Sequence, residues 1–292
     1  MDIINLELER QKIKKRLDFV TTLFVIIFAL SLIVVFLNKS SEFFNFLISG
    51  VAFLTTIFGL YRGFLTKEFN DNFKDLVITK IIKELDENLS YNKNGFLSKS
   101  EFLSTKIYDN NLHKFSGNDL ISGKVDSVMI KFSDIKATKI FYNGEKEQEK
   151  SVFYGIFFIA EFNKNIKSQT YIIDKKSLNA QKIGERAYMD DVEFERIFDV
   201  FCKDQINTRY LLTPKFMQDF TKLRQNFKCP INACLMDSKI FIYIERGFDS
   251  FEPNLKEPLA GKGKNLEIYA SELKGCLDLV KILNLNNDLF KS

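Results

Sequence analysis

Phe19-Val-Thr-Thr-Leu-Phe-Val-Ile-Ile-Phe-Ala-Leu-Ser-Leu-Ile-Val-Val-Phe-Leu-Asn38 carries no charged residue, and neither does Phe43-Phe-Asn-Phe-Leu-Ile-Ser-Gly-Val-Ala-Phe-Leu-Thr-Thr-Ile-Phe-Gly-Leu-Tyr61. Only Lys39, Ser40, Ser41 and Glu42 separate them. About 19 residues at roughly 1.5 Å per residue give about 28 Å, enough for the hydrocarbon core of a bilayer. A core helix of a soluble protein would be shorter and striped with polar residues. The two runs predict a transmembrane helical hairpin over residues 19–61.

Neither run has the features of a secretory signal. The first is longer than the apolar stretch of a signal peptide, no small-residue cleavage site follows it, and a second apolar run comes at once. Arg10, Lys12, Lys14, Lys15 and Arg16 precede the first run, Arg62 and Lys67 follow the second, and Lys39 alone lies between. The positive-inside rule then puts both chain ends in the cytoplasm, in a multi-pass protein of the inner membrane. Residues 1–18 form a basic amphipathic segment, with Ile3, Leu6, Ile13 and Leu17 at helical spacing. Its cluster at Arg10, Lys12, Lys14, Lys15 and Arg16 is placed to face anionic lipid, at about 1 kcal/mol per residue near the surface.

Beyond the hairpin, Phe69, Phe73, Val77, Ile81 and Leu85 recur every fourth residue, predicting an amphipathic stalk helix over 62–89. No proline separates it from the second span. The next stretch, Ser90-Tyr-Asn-Lys-Asn-Gly-Phe-Leu-Ser-Lys-Ser-Glu101, can be aligned with a calcium loop, with Ser90, Asn92, Asn94 and Glu101 at ligand positions. Glu101 is its only carboxylate, and Lys93 lies inside it. A hard dication needs several anionic oxygens, so the better expectation is a turn at Asn94-Gly95 and a helix start boxed by Ser98 and Glu101, with no metal.

From Leu120 onward the period changes to two. Val128, Ile130 and Phe132 alternate with polar residues, Ile135–Tyr142 and Phe153–Phe162 are rich in strand formers, and Thr170–Ile173 is a further short strand. Asp191–Lys203 is read as a helix, Thr208–Leu212 as a strand, and Thr213-Pro214 as the capped start of another helix. Ile231–Met236 and Lys239–Glu245 form a hairpin about Asp237-Ser238. A loop with Pro253, Pro258 and Gly261-Lys-Gly-Lys264 leads to a last helix over Leu266–Leu283. Grouped rather than alternating strands and helices predict an α+β domain over 90–292 with a largely antiparallel sheet.

With these elements placed, the chain resembles an uncharacterised bacterial membrane family, domain of unknown function 3137. The likeness runs through Leu89-Ser-Tyr-Asn-Lys-Asn-Gly95 followed by Ser98-Lys-Ser-Glu-Phe102, Phe115-Ser-Gly-Asn-Asp-Leu-Ile-Ser-Gly-Lys124, Gly155-Ile-Phe-Phe-Ile-Ala-Glu-Phe-Asn163, Met189-Asp-Asp-Val-Glu-Phe-Glu195 and Thr208-Arg-Tyr-Leu-Leu-Thr-Pro214. The resemblance implies architecture only: two spans followed by a cytosolic α+β domain, with no catalytic residues to carry over.

The residues themselves point to no chemistry. His113 is the sole histidine and has no nucleophile or orienting partner beside it in sequence. Cys202, Cys229, Cys234 and Cys276 match no zinc or redox spacing and suit buried small hydrophobes. Asp190, Asp191, Glu193 and Glu195 fit the acidic start of a helix. Gly261–Lys264 lacks the spacing of a phosphate loop. A net charge of +4, from 42 basic and 38 acidic residues, leaves no footprint for nucleic acid. No cofactor is expected. The expectation is a membrane-tethered binding or regulatory module with the lipid bilayer and an unidentified protein as partners. The competing class is a membrane-proximal enzyme with a carboxylate-based site.

Overall fold

A computed structural model describes residues 3–37, 41–144, 146–161, 166–259 and 265–282. The expected connection at Lys39-Ser40 and the Gly261–Lys264 loop lie outside the described residues. The chain divides into two compact units, Met1–Lys80 with Glu252–Tyr269, and Ile81–Phe251 with Ala270–Ser292.

The first unit is built on two long helices, α1 (Ile3–Leu37) and α2 (Ser41–Phe73). Ile3–Ile33 of α1 is long and apolar enough to cross a membrane by length and composition, and none of its most apolar window is buried in protein. Phe24 of α1 stacks on Phe58 of α2 at 5.6 Å. The helical backbone continues from α2 through a π turn (Lys74–Ile78) into α3 (Thr79–Leu85) without an intervening residue. That turn alters the expected apolar stripe. Phe69, Phe73 and Val77 are buried as their spacing predicts, but the buried positions then become Ile78 and Ile82 instead of Ile81 and Leu85. A π turn takes up one extra residue, so the buried face advances by one position.

The second unit is organised by a nine-stranded sheet, antiparallel throughout, in the order β1-β2-β3-β4-β9-β8-β5-β7-β6. The strands are β1 (Leu89–Asn92), β2 (Lys114–Val125), β3 (Val128–Asn143), β4 (Lys146–Glu161), β5 (Thr170–Asp174), β6 (Glu185–Ala187), β7 (Phe198–Cys202), β8 (Ile231–Met236) and β9 (Lys239–Ile244). Asp126-Ser127 and Asp237-Ser238 have positive φ at both residues, and so make the tight turns of β2–β3 and β8–β9. At Gly155 on β4, φ is +153° and an added Cβ would lie 2.0 Å from the Ile244 carbonyl, so only glycine lets β9 approach there. The helices are α4 (Lys99–Ser104), α5 (Val192–Ile197), α6 (Gln205–Leu211), α7 (Pro214–Phe227) and α8 (Asn265–Ile282).

Phe102 of α4 is fully buried at the centre of an aromatic cluster. Its ring lies 5.2–5.4 Å from those of Tyr108, Phe115, Phe153, Phe157 and Tyr243.

Three local expectations are corrected. Val128–Phe132 and Ile135–Tyr142 are one strand, β3. The 191–203 helix ends at Ile197, and Phe198–Cys202 pairs with β5 on one side and β6 on the other. Phe194, Phe198 and Phe201 fit helical spacing, but a fully buried Phe-Asp-Val-Phe-Cys segment with partners on both edges favours the strand. Thr208–Leu212 is not a strand but falls within and just after α6, whose N-cap Asp204 accepts from Asn207 N at 2.9 Å. β1, β2 and β6 have no expected counterpart.

Candidate functional site

The period-two pattern that marks β3 also sets its buried face. Val128, Ile130 and Phe132 lie on that face, and the same alternation puts Asp134 there, only 1 % exposed. On the neighbouring β2 the register slips between Asn118 and Ile121, and Asp119 adopts φ +59° and is fully buried. Asp249, in the turn after β9, completes a group of three carboxylates whose oxygens lie within 4.8 Å of one another.

Neutral donors bond to each of the three carboxylates. Ser250 donates its N–H to Asp134 Oδ2 at 2.9 Å and its hydroxyl to Oδ1 at 3.0 Å. Tyr91 Oη donates to Asp119 Oδ1 at 2.5 Å, and Asn118 Nδ2 to Asp249 Oδ2 at 2.7 Å. Burial, then the charges of Asp249 and Asp119, push the Asp134 carboxyl well above the usual carboxylate range, with the Ser250 bonds opposing. Like charges this close cannot all ionise, so the set holds a proton or accepts a cation. Asp119, Asp134 and Asp249 are the residues that could hold a hard divalent ion, which prefers such oxygens.

A second buried polar network joins β5, β8 and β9. Glu245, just past β9, accepts at one oxygen from Tyr108 Oη (2.8 Å), Ser177 Oγ (2.5 Å) and Asn232 Nδ2 (2.9 Å). Burial raises its pKa, against the pull of those three donors. Asp174 accepts from Arg224 Nε at 2.5 Å. Every one of these groups is engaged by a neighbour, as a specifying network requires. A cleft of about 580 Å³ at the end of α7 is lined by Lys228, Arg246, Glu272, Lys274 and Asp278 among others, and by none of the three clustered aspartates.

The residues singled out in the sequence fall elsewhere. Ser98 Oγ accepts from Glu101 N at 3.2 Å, and Glu101 Oε2 accepts from Ser98 N at 3.1 Å, closing a capping box on α4. Glu101's other oxygen pairs with Lys131. Ser90 and Asn92 belong to β1, Ser90 Oγ donating to Ser122 O at 3.0 Å, and Asn92 Oδ1 accepts from Asn94 N and Gly95 N at 3.1 Å. The structure thus directs these side chains to caps, turns and strand partners and does not gather them about a point. His113 is exposed, and its Nδ1 accepts from Ile140 N at 3.1 Å. Asp191 caps α5 through Phe194 N, and Glu195 pairs with Arg186 at 2.7 Å. Arg10 needs a correction. It is only 5 % exposed and paired with Glu7 and the Leu255 carbonyl, so it does not face lipid, whereas Lys12, Lys15 and Arg16 are exposed and Lys14 half-buried.

Sequence reasoning misses the aspartate group because its members are scattered along the chain, with Asp134 bonding a residue 116 positions away. One signal is present in the sequence: the alternation of Val128, Ile130 and Phe132 extends to an aspartate on the apolar face. Residues 151–285 match the family described as "Protein of unknown function (DUF3137)". No curated protein and no solved structure matches the chain.

Proposed function

Residues 151–285 belong to the DUF3137 family, and from that premise we propose a two-span membrane protein whose α+β domain is a binding or regulatory module. The observation that carries this is the uncovered apolar surface of both long helices. Phe19, Leu23, Val25, Ile26, Leu30, Leu32 and Ile33 on α1 are exposed, as are Phe53, Leu54, Ile57, Leu60 and Phe64 on α2. Burying one such side chain is worth about 1.5–3 kcal/mol, so these residues together exceed the whole stability of a typical domain, about 5–15 kcal/mol. A bilayer supplies the missing cover. The Phe24–Phe58 stack supports pairing of the two helices as a hairpin.

Charge placement supports an inner-membrane orientation with both ends in the cytoplasm. Exposed Lys12, Lys15 and Arg16 then meet anionic headgroups, and a protein partner meets the domain. Alkaline carbonate extraction of membranes bearing the full chain, with mass spectrometry of its N-terminus, tests the anchor. Retention in the membrane with the first helix uncleaved is expected. Release into the supernatant, or loss of the first helix, contradicts it.

The aspartate group favours a second function, a membrane-proximal enzyme using Asp119, Asp134 and Asp249. A carboxyl raised by burial and by neighbouring carboxylates is the arrangement a general acid needs. Turnover lost in D134N with the fold retained would establish it.

A further inference from the structure

The outer face of α7 forms one wall of a groove. Pro214, Met217, Gln218, Thr221, Lys222 and Gln225 stand at positions i, i+3, i+4, i+7, i+8 and i+11, and so share one stripe of that helix. The opposite wall is the chain entering α5, with Met189, Asp190, Asp191 and Glu193. Two hollows of about 320 and 430 Å³ adjoin at Asp191, which lines both. From Pro214 to Gln225 the helix rises about 16 Å, the span of about five residues of extended chain.

The two ends of the groove differ in chemistry. Met189, Leu212, Pro214 and Met217 line one end. Beside it, Tyr188 and Val192 are exposed, Val192 by 70 %. Ile206, Arg209 and Tyr210 share one face of α6, and Arg209, which lines the same end, donates from Nη2 to Tyr188 O at 3.0 Å. Ile206 on that face is 84 % exposed and Tyr210 is exposed as well. Apolar surface gathered in this way and rimmed by polar groups marks an interaction site. Tyrosine, methionine and arginine are the residue types that concentrate at the centre of protein interfaces, and methionine adapts its shape to what it meets. At the other end Gln218 and Gln225 are exposed two helical turns apart, and each amide can both donate to and accept from a peptide backbone.

Charge decides what fits between these ends. Arg209 is drawn to Asp190 at 3.6 Å, and Lys222 to Asp219, a carboxylate of α7 outside the lining, at 3.8 Å. Asp191 and Glu193 are left without a cation among the described residues. We propose, resting on the reading of the α+β domain as a binding module, that this groove seats an extended peptide segment of a partner protein. An apolar side chain of the segment fills the methionine-lined end, a lysine or arginine meets Asp191 and Glu193, and its backbone runs along the glutamines.

Fluorescence anisotropy on the full chain in phosphatidylcholine nanodiscs tests it. The probes are short fluorescein-labelled peptides with one leucine and one arginine at varied separation in a serine background, and the same peptides with glutamate for arginine. Arginine peptides should bind, and their glutamate counterparts at least about ten-fold more weakly. E193K should reverse that order. Q218W, which fills the groove from an exposed position, should weaken both sets at least about ten-fold, with the thermal midpoint of each variant unchanged. Binding that ignores both variants overturns the groove and leaves the binding-module reading standing. Absence of binding by every peptide overturns the inference, as does self-association of the chain that Q218W abolishes, which would assign the surface to a second copy.

Discussion

Asp134→Asn isolates the energetics of the aspartate group. Two ionised carboxylates with oxygens no more than 4.8 Å apart, at an effective dielectric near 20, repel by at least about 3.5 kcal/mol, so the folded chain keeps a proton there that the unfolded chain releases. Because the folded pKa of Asp134 is raised, its contribution to stability is fully present below the unfolded carboxylate value. It is lost as pH rises toward the folded value. The slope reaches about 1.4 kcal/mol per pH unit where only the unfolded state has ionised. The amide of D134N would keep the side-chain shape and a carbonyl for the Ser250 N–H, yet bind no proton. Unfolding of both proteins in detergent with a chelator, from roughly pH 4 to pH 8, gives the difference directly. D134N should lie within about 1 kcal/mol of wild type near pH 4 and gain on it as pH rises, by about 1–3 kcal/mol at the upper end. Parallel pH curves for the two proteins, or a variant that loses ground as pH rises, would refute the reasoning.

Phe102→Ala empties the centre of the aromatic cluster and should cost about 3–5 kcal/mol, lowering the midpoint of thermal unfolding by roughly 10 °C. A drop of a degree or two would mean that the cluster is not a close-packed core. Ser98→Ala removes the cap of α4 and should cost about 1 kcal/mol in the same assay, whereas Ser98→Thr should cost much less. The native thiols should resist maleimide at neutral pH. Cys202, Cys234 and Cys276 are buried, and burial pushes the half-buried Cys229 thiol up to about 11; rapid labelling of the folded chain would contradict this.

Legibility followed the range of the interaction that decides each feature. The β8–β9 hairpin, the Thr213-Pro214 helix start and the Ser98–Glu101 box are settled within a few residues, and each is present where the sequence puts it. The Phe194–Phe201 segment satisfies a local pattern that two distant strands override. The stripe after Val77 slips by one because a π turn leaves no mark in apolar spacing. Arg10 looks like one of five similar cations, and only its meeting with Leu255, 245 residues on, takes it out of that set. The aspartate group needs the β2 bulge, the β3 alternation and the turn after β9 together, and only the second can be read in advance.

The central claim is that the two apolar runs cross a membrane as a pair, with the α+β domain on the side of the N-terminus. Single cysteines at positions 4, 40 and 110, labelled by an impermeant maleimide in sealed vesicles of known orientation, test it most directly. Ile4→Cys and Asn110→Cys should react from one face and Ser40→Cys from the other. Labelling of all three from the same face would contradict the account.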